Sequence, residues 1–468
     1  MKQKIMHHHL LPDAARSAEL VIPRRFRDEA FERLVQSGAP YRRRLRGRLH
    51  TAACDGPMRL LLGESLSTLE TPAPEHSSPP TLTYALAASE EGVRNHYRTW
   101  EREAETNFDA LLIEPVSTFG GGVFGWTFHP SASTFPRSLS GISFPGMGMF
   151  RSSLGGSHAR GALTSVAAET SGARSNGRLG APASERWSRT IGALSQPVWE
   201  RLRSLRVGLV GCGRLGSLVG VGLVRTGTQD LTLVDPDIVE VHNLGESARW
   251  TMRDVGAPKV ERLARIIEQE SRTRQGITIT PIARSVTQQT ALEALRGRDV
   301  LICCADRPSA RLAAGLLGAL YLIPVIDAGT GIFGDSDDQM IGSDVRLILP
   351  GESCIECLGG TTDPEEARVQ LRHADAEVEL GVQDWRNQRA GSLRSWNEIA
   401  AGFVRRVLEM LTRGRLDDTR WWRLEWDEGA LEVQRWPAVG RGDGRCICHL
   451  TGRGDDGLGR VPQWLRSY

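Results

Sequence analysis

The pattern of hydrophobic and polar positions changes near residue 186 of this chain. Beyond that point, short apolar runs alternate with amphipathic stretches of helical period, which predicts a parallel sheet covered by helices on both faces. Strands are predicted at residues 206–210, 231–235, 277–282, 299–303, 325–328 and 344–349. Helices are predicted from the glycine-rich turn to about residue 225, and at residues 259–270, 309–320 and 391–411. The Trp-rich run 421–436 alternates as an antiparallel hairpin does.

Residues before 186 carry a weaker pattern, which predicts strands at 20–22, 60–62 and 110–113 and a helix at 27–35. Residues 151–185 are rich in Ser, Gly, Ala and Arg and bury little apolar surface, so we expect a mobile linker there. The expected organisation is a flexible N-terminus at 1–16, an α+β domain at 17–150, the linker at 151–185, a Rossmann-like, doubly wound, mostly parallel α/β domain at 186–450, and a C-terminal tail at 451–468.

Charge and composition exclude several classes of protein. The 58 basic and 56 acidic residues give a net charge of +2, which argues neither for nor against nucleic-acid binding. The basic run at 42–48 is expected to be a solvated face, so nucleic-acid binding is not expected. The chain has no run of about 18 apolar residues, which a membrane span would need. Its first residues lack the continuous apolar region of a secretory signal. The eight cysteines are therefore expected to be reduced thiols or metal ligands in a cytoplasmic protein.

A glycine-rich turn follows the first strand of the 186–450 region. Gly211, Gly213 and Gly216 permit a tight turn and let backbone N–H groups approach a phosphate at the start of a helix. Asp235 closes the next strand, where its carboxylate can bind ribose hydroxyls. These residues alone fit any nucleotide-binding Rossmann unit, including that of a nicotinamide-dependent oxidoreductase.

Further residues, in a fixed order along the chain, distinguish between these alternatives. They are Asp237, Asn243, Lys259, the strand-end Asp306, and Arg311 on the following helix. The series resembles the ThiF/MoeB/HesA family of ubiquitin-activating-enzyme-like adenylyltransferases. The segment 186–191, with Arg186 and Arg189, resembles the Arg-x-x-Arg-Gln-Ile segment that opens the family's domain.

The resemblance implies ATP-dependent adenylation of a carboxyl group, in which a carboxylate attacks the α-phosphate of ATP and pyrophosphate leaves. It implies that Lys259 contacts the phosphates, that Asp306 holds Mg²⁺, and that Arg189 enters the site of the partner subunit in a homodimer. The implied substrate is the C-terminus of a ubiquitin-like or sulfur-carrier protein, with a downstream conjugating or sulfur-transfer enzyme as a further partner.

Two departures from the family pattern affect this interpretation. Glu246 stands where the family carries a phosphate-contacting arginine, so Arg249 would have to reach the nucleotide instead. Residues 358–392 contain no cysteine, and Asn387 stands where many relatives carry the acyl-accepting thiol, so no internal thioester is expected there. Alternatives are adenylation of a small-molecule, peptide or tRNA-nucleoside carboxylate, or a nucleotide-binding pseudoenzyme scaffold.

Four cysteines form two closely spaced pairs that are far apart in the chain. They are Cys354, Cys357, Cys446 and Cys448. Two such pairs suit a tetrahedral structural Zn²⁺, which the family often carries, although His449 could replace one thiol and buried inert thiols are the alternative. Cys212, Cys303 and Cys304 are predicted to be packing residues, which leaves Cys54 unassigned.

The N-terminal region bears a fainter resemblance to a JAB/MPN-type deconjugase domain, through residues 110–114 and 125–130. That family needs a His-x-His-Pro motif and a downstream Asp, whereas this chain has Thr127 before His129 and no Asp between His129 and residue 151. We therefore expect an inactive docking domain, with a family-specific recognition domain as the alternative.

Overall fold

The computed structural model describes the backbone of seven strands between residues 17 and 143, and most of the chain from residue 185 to residue 450. Within the second stretch, the residues not described are 246, 248, 272–275, 334–339, 351, 362–366, 368–392, 417, 428–429 and 437–445. The predicted N-terminal segment, the helix at 27–35, nearly all of the linker and the C-terminal tail lie outside the described residues. Contacts divide the chain into one unit of residues 1–143 with 150–174, and a second of residues 144–149 with 175–468.

The first unit contains a mixed seven-stranded sheet. Its strands are β1 (Ser17–Val21), β2 (Arg42–His50), β3 (Met58–Gly63), β4 (Thr81–Ala87), β5 (Asp109–Pro115), β6 (Gly125–Phe128) and β7 (Ser138–Ser143). They are ordered β6-β5-β4-β2-β3-β1-β7, with β1 parallel to β3 and β7, and β4 parallel to β5. The strands predicted at 60–62 and 110–113 are confirmed with longer bounds, and the one predicted at 20–22 corresponds to β1, which begins earlier and ends at Val21.

The second unit contains an eight-stranded sheet. Its strands are β8 (Arg206–Val210), β9 (Asp230–Val234), β10 (Thr278–Ile282), β11 (Val300–Cys303), β12 (Val325–Phe333), β13 (Met340–Ile348), β14 (Arg420–Asp427) and β15 (Ala430–Trp436). The order is β10-β9-β8-β11-β12-β13-β14-β15, parallel from β10 to β12 and antiparallel beyond. Strands β9 and β10 lie on one side of β8, and β11 and β12 lie on the other. In open α/β sheets such a reversal of strand order leaves a crevice, which here is at the carboxyl ends of β8 and β11. The predicted doubly wound sheet is confirmed.

Seven α-helices belong to the described part of this unit. They are α1 (Ser188–Leu194), α2 (Gln196–Ser204), α3 (Arg214–Thr226), α4 (Lys259–Ser271), α5 (Gln289–Leu295), α6 (Pro308–Tyr321) and α7 (Arg394–Thr412). The apolar sides of α3, α4 and α7 form one core with the sheet face that includes Leu209, Leu233 and Val345. Helix α6 packs on β11 and β12. Both faces are thus covered, which explains the continuous apolar runs in the parallel strands.

Sequence periodicity missed α1, α2 and α5. Helix α5 has only seven residues, which is too short for a helical repeat to appear in the sequence. Strand β12 is five residues longer than predicted because its extension, Gly329–Phe333, contains two glycines and a threonine rather than an apolar run. Among the described helices, none is both long and apolar enough to cross a bilayer.

Candidate active site and metal centre

The glycine turn between β8 and α3 requires glycine at two positions. Gly211 has φ +83°, and a Cβ there would lie 2.7 Å from the backbone nitrogen of Ala305. A Cβ on Gly216 would lie 1.9 Å from the carbonyl oxygen of Gly211. Gly213 precedes α3, and no atom lies within 4 Å of the place where its Cβ would be. The turn therefore packs tightly against the chain after β11 and is open at the start of α3, as phosphate binding requires.

Asp235, directly after β9, holds this turn in place. Its Oδ2 accepts a hydrogen bond from the Cys212 amide at 2.6 Å, and its Oδ1 accepts one from the Asp237 amide at 2.8 Å. Burial raises the pKa of Asp235. Both carboxylate oxygens of Asp235 thus accept hydrogen bonds from backbone N–H groups and fix two loops, while the ribose contact stays a prediction.

Lys259 begins α4 beside the same turn. Its side-chain nitrogen lies 2.8 Å from Asp237 Oδ2, and its amide donates to the Asp237 carbonyl at 2.9 Å. Burial opposes the charged ammonium group, but attraction to Asp235 and Asp237 outweighs burial and raises the pKa of Lys259. Lys259 is also the only lysine after Lys4 in a chain with 58 basic residues. A compact ammonium group thus stands at this position in a chain where nearly every other basic side chain is a guanidinium.

Asp306 lies at the carboxyl end of β11 and is exposed. Its charge contributes to the raised pKa of Lys259, so the two side chains are within electrostatic range of each other. The preceding residue, Ala305, packs against Gly211, and its carbonyl accepts a hydrogen bond from Arg311 Nε at 2.9 Å. An exposed carboxylate on a fixed loop suits Mg²⁺, which keeps several waters when bound to proteins.

Asn243 and Arg249 are placed differently from these residues. Asn243 is buried, and its Oδ1 accepts the Glu240 amide at 3.0 Å within a capping box around a short 3-10 helix. Arg249 pairs with Glu270, whose carboxylate also binds Arg225. Glu270 is eleven residues beyond Lys259 on α4, which corresponds to about 16 Å along the helix. The structure therefore brings the glycine turn, Asp235 and Asp237 after β9, Lys259 and Asp306 together, and leaves Arg249 apart.

Arg189 is exposed on α1. The indole N–H groups of Trp187 and Trp199 donate to the carbonyls of Arg225 and Thr226, at 3.1 Å and 3.0 Å. These bonds fix the segment to the end of α3 that is farthest from the glycine turn. Because α3 has 13 residues, this end of the helix is about 20 Å from the glycine turn.

The four predicted metal-binding cysteines lie in one cluster. Their sulfur atoms lie within 4.8 Å of one another, with Cys357 Sγ 3.6 Å from Cys354, 3.7 Å from Cys446 and 3.6 Å from Cys448. Disulfide sulfurs are about 2.05 Å apart, whereas four sulfurs about 2.3 Å from a tetrahedral Zn²⁺ are about 3.8 Å apart. The cluster can therefore hold a metal ion despite the single residue between Cys446 and Cys448.

Interactions around the cluster support this role. A hydrogen bond from the Cys448 thiol lowers the pKa of Cys354 to about 6, which favours the thiolate that binds metals. The Ile447 amide donates to Glu356 Oε2 at 3.0 Å, so the two cysteine pairs are joined directly. Burial raises the pKa of Cys212 and Cys304 and raises that of Cys303 to about 12, as expected for packing residues. Cys54 and the His449 side chain lie outside the described residues.

Sequence reasoning missed a row of charges on β12, β13 and β14, whose members are Asp327, Asp344, Arg346 and Arg423. The first three are buried and Arg423 is partly buried, and Arg311 of α6 joins the row through Asp327. The available signal was a charged residue at alternate positions of otherwise apolar strands, as in Asp344-Val-Arg346. Such residues are buried only when they are paired.

Comparison with known proteins identifies the family. A model of the ThiF family matches residues 187–412, from the opening segment to the end of α7. The molybdopterin-synthase adenylyltransferase of Salmonella typhimurium is 33% identical over 203 residues, which cover 43% of this chain and 74% of that protein. The chain belongs to the ThiF family.

Other ThiF-type relatives match over shorter parts of their length. The adenylyltransferase and sulfurtransferase MOCS3 of Sus scrofa is 34% identical over 184 residues, which cover 39% of this chain and 37% of that protein. This chain spans only 25% to 37% of the length of the first three relatives it matches. Among solved structures, E. coli MccB with ATP is 20% identical with a TM-score of 0.39, covering 56% of this chain and 73% of that one. The JAB/MPN-like fold predicted within residues 17–150 gains no support, since the ThiF match begins at residue 187.

Proposed function

We propose that this ThiF-family protein catalyses ATP-dependent adenylation of a carboxyl group. The observation that carries the proposal is the placement of Lys259, whose ammonium group is held beside the glycine turn by Asp237 and lies within electrostatic range of Asp306. A site that binds a dinucleotide for hydride transfer has no need of a cation and an exposed carboxylate at this position. A reaction between two anions does need them.

The proposed reaction joins a carboxylate oxygen to the α-phosphorus of ATP and breaks the bond to the bridging oxygen of pyrophosphate. Backbone N–H groups of the glycine turn bind the phosphates, and Lys259 offsets negative charge that accumulates as the new bond forms. Asp306 would hold Mg²⁺, which when bound neutralises charge on the leaving pyrophosphate. Asp237, half exposed beside the turn, is available for the ribose.

Arg189 is proposed to complete the site of the partner subunit in a homodimer. Its exposure, and the attachment of its segment to the end of α3 farthest from the glycine turn, support a role outside its own site. A guanidinium supplied to the phosphates from the partner would add positive charge where two anions meet.

The proposed substrate is the C-terminus of a ubiquitin-like or sulfur-carrier protein. Relatives carry names such as SAMP-activating enzyme E1 and molybdopterin-synthase adenylyltransferase, which supports a carrier protein over a free metabolite. We further propose that the acyl-adenylate is passed directly to a partner's thiol or amine, because Asn387 cannot form a thioester. The cysteine cluster is proposed to bind one structural Zn²⁺.

A nucleotide-binding scaffold without turnover is the second candidate. This function is favoured by the ion pair between Arg249 and Glu270. Arg249 would have to contact the phosphates in place of the family arginine, because Glu246 stands at that position. A candidate carrier protein ending in Gly-Gly, incubated with the chain, ATP and Mg²⁺, separates the two functions. Mass spectrometry should find AMP joined to the carrier's C-terminus. Tight ATP binding without any such adduct, and without pyrophosphate release for a panel of carriers, would favour the scaffold.

A further inference from the structure

A continuous series of buried and partly buried polar contacts joins the cysteine cluster to the candidate active site. It begins at Leu358 and Gly359, which directly follow Cys357, and ends at Ala305, which directly precedes Asp306. Its two guanidinium groups belong to Arg346 on β13 and Arg311 on α6.

Arg346 is the centre of this series of contacts, and the residue is 2% exposed. Its Nε donates to the Leu358 carbonyl at 3.0 Å and its Nη2 to the Gly359 carbonyl at 3.3 Å. Its Nη1 donates to Asp327 Oδ2 at 3.1 Å, and its Nη2 donates to Asp344 Oδ2 at 2.9 Å. One planar group thus ties the turn that carries Cys354 and Cys357 to the middle of the sheet.

Arg311 completes the path. Its Nη1 donates to the same Asp327 Oδ2 at 3.2 Å, and its Nε donates to the Ala305 carbonyl at 2.9 Å. Ala305 in turn packs against Gly211, so the position of its peptide affects both Asp306 and the glycine turn. A single carboxylate oxygen therefore links the guanidinium of the cysteine turn to the guanidinium of the Asp306 loop.

Sharing one oxygen makes the two guanidinium groups depend on each other. The Arg346 side chain is 3% exposed and that of Arg311 is 16% exposed, so water cannot readily replace a lost contact of either group. A displacement of Leu358 and Gly359 would move Arg346, and Asp327 would then bind Arg311 in a different geometry. Networks of this kind respond as a unit rather than bond by bond.

We propose that Arg346 is a positioning residue through which metal binding at the cysteine cluster tightens nucleotide binding at the Asp306 loop. The inference rests on the proposed function, since it takes the cluster as a metal site and the loop as a nucleotide site. Because coupling between two binding sites is reciprocal, nucleotide must tighten metal binding by the same factor.

The first test uses the unaltered chain. Calorimetry measures the Kd of AMPCPP with Mg²⁺ for Zn²⁺-loaded protein and for protein stripped by a chelator, with circular dichroism to verify that the stripped chain is folded. A competing chelator measures the Zn²⁺ Kd with and without saturating AMPCPP. Zn²⁺ loading should lower the Kd of AMPCPP at least tenfold, and saturating AMPCPP should lower the Kd of Zn²⁺ by the same factor. Equal AMPCPP affinity in both folded forms would overturn the coupling.

The second test stays valid if the stripped chain unfolds, because it uses loaded protein. Arg346→Lys keeps a positive charge but loses the planar group that binds two carbonyls and two carboxylates. Arg423→Lys is the matched control, because Arg423 binds the same Asp344 at 3.0 Å but is not a link between Leu358 and Ala305. Arg346→Lys should weaken AMPCPP binding about tenfold, and Arg423→Lys by less than twofold.

These outcomes separate the inference from the proposed function. Equal effects of the two lysine variants would overturn the role of Arg346 while leaving the nucleotide site in place. A Zn²⁺-loaded, folded wild-type chain that binds no AMPCPP would contradict the proposed function, and the inference with it.

Discussion

Replacement of Lys259 by alanine removes an ammonium group that lies beside the glycine turn and interacts electrostatically with Asp306. The ammonium group is 11% exposed and 2.8 Å from Asp237. Alanine leaves the first turn of α4 intact, since it is a good helix former, and the backbone bond from residue 259 to the Asp237 carbonyl does not depend on the side chain. The variant should therefore fold, with its main defect in the charge balance of the site.

The magnitude follows from the distance at which the ammonium group would act. A unit charge about 4 Å from the developing charge contributes about 4 kcal/mol at an effective dielectric constant of about 20. Each 1.36 kcal/mol corresponds to about tenfold in rate, so the rate should fall roughly a thousandfold. The Lys259→Arg variant keeps the positive charge on a larger, planar group. Its rate should therefore fall only about tenfold, against roughly a thousandfold for Lys259→Ala.

Two assays measure this effect. An acyl-phosphate derivative of ATP, which acylates lysines beside bound phosphates, should label Lys259, and a chain with only three lysines makes that site easy to identify by mass spectrometry. Carrier-dependent pyrophosphate release then gives the rates of the variants. Arg262→Ala is the matched control one turn along α4, because Arg262 pairs with Asp254 rather than with the site. Labelling confined to Lys2 and Lys4, or equal rates for Lys259→Ala and wild type, would refute the assignment.

Three further predictions test the proposed metal, dimer and product. Purified protein should contain about one Zn²⁺ per chain, and Cys354→Ser should lower zinc content and melting temperature together; a stably folded metal-free wild type would exclude the site. Mixing inactive Arg189→Ala and Asp306→Ala chains should restore activity to about half of the sites in mixed dimers; an active monomer by light scattering would contradict this. No reductant-sensitive adduct with the carrier should form; an adduct abolished by Cys54→Ser would disprove direct transfer from the adenylate.

The sequence predicted those parts of the site that depend on local geometry. Gly211 and Gly216 are required by backbone contacts within one turn, and Asp235 and Asp306 follow apolar strands whose carboxyl ends must meet in a parallel sheet. Features of this kind can be recognised in a sequence from the residue types and their spacing. The sequence therefore predicts the parallel arrangement of β8 to β11, whereas it does not predict their order in the sheet.

The remaining features depend on contacts between distant parts of the chain. The pairing of Arg249 with Glu270 depends on how the loop before α4 folds back on the helix, and no spacing rule gives that result. The link from Leu358 through Arg346 to Asp327 joins a cysteine turn to the middle of two strands. In the sequence, these charges only interrupt apolar runs.

ATP–pyrophosphate exchange in the presence of a carrier protein tests the adenylation hypothesis most directly. Exchange reports reversible formation of an acyl-adenylate and needs no acceptor, so it is independent of the later transfer. Wild-type protein should exchange labelled pyrophosphate into ATP only when the carrier's C-terminal carboxylate is present, and Asp306→Ala should abolish exchange while keeping the same melting temperature. Exchange that is absent with every carrier and carboxylate tested, in a chain that binds ATP and Mg²⁺, would contradict the proposed activity.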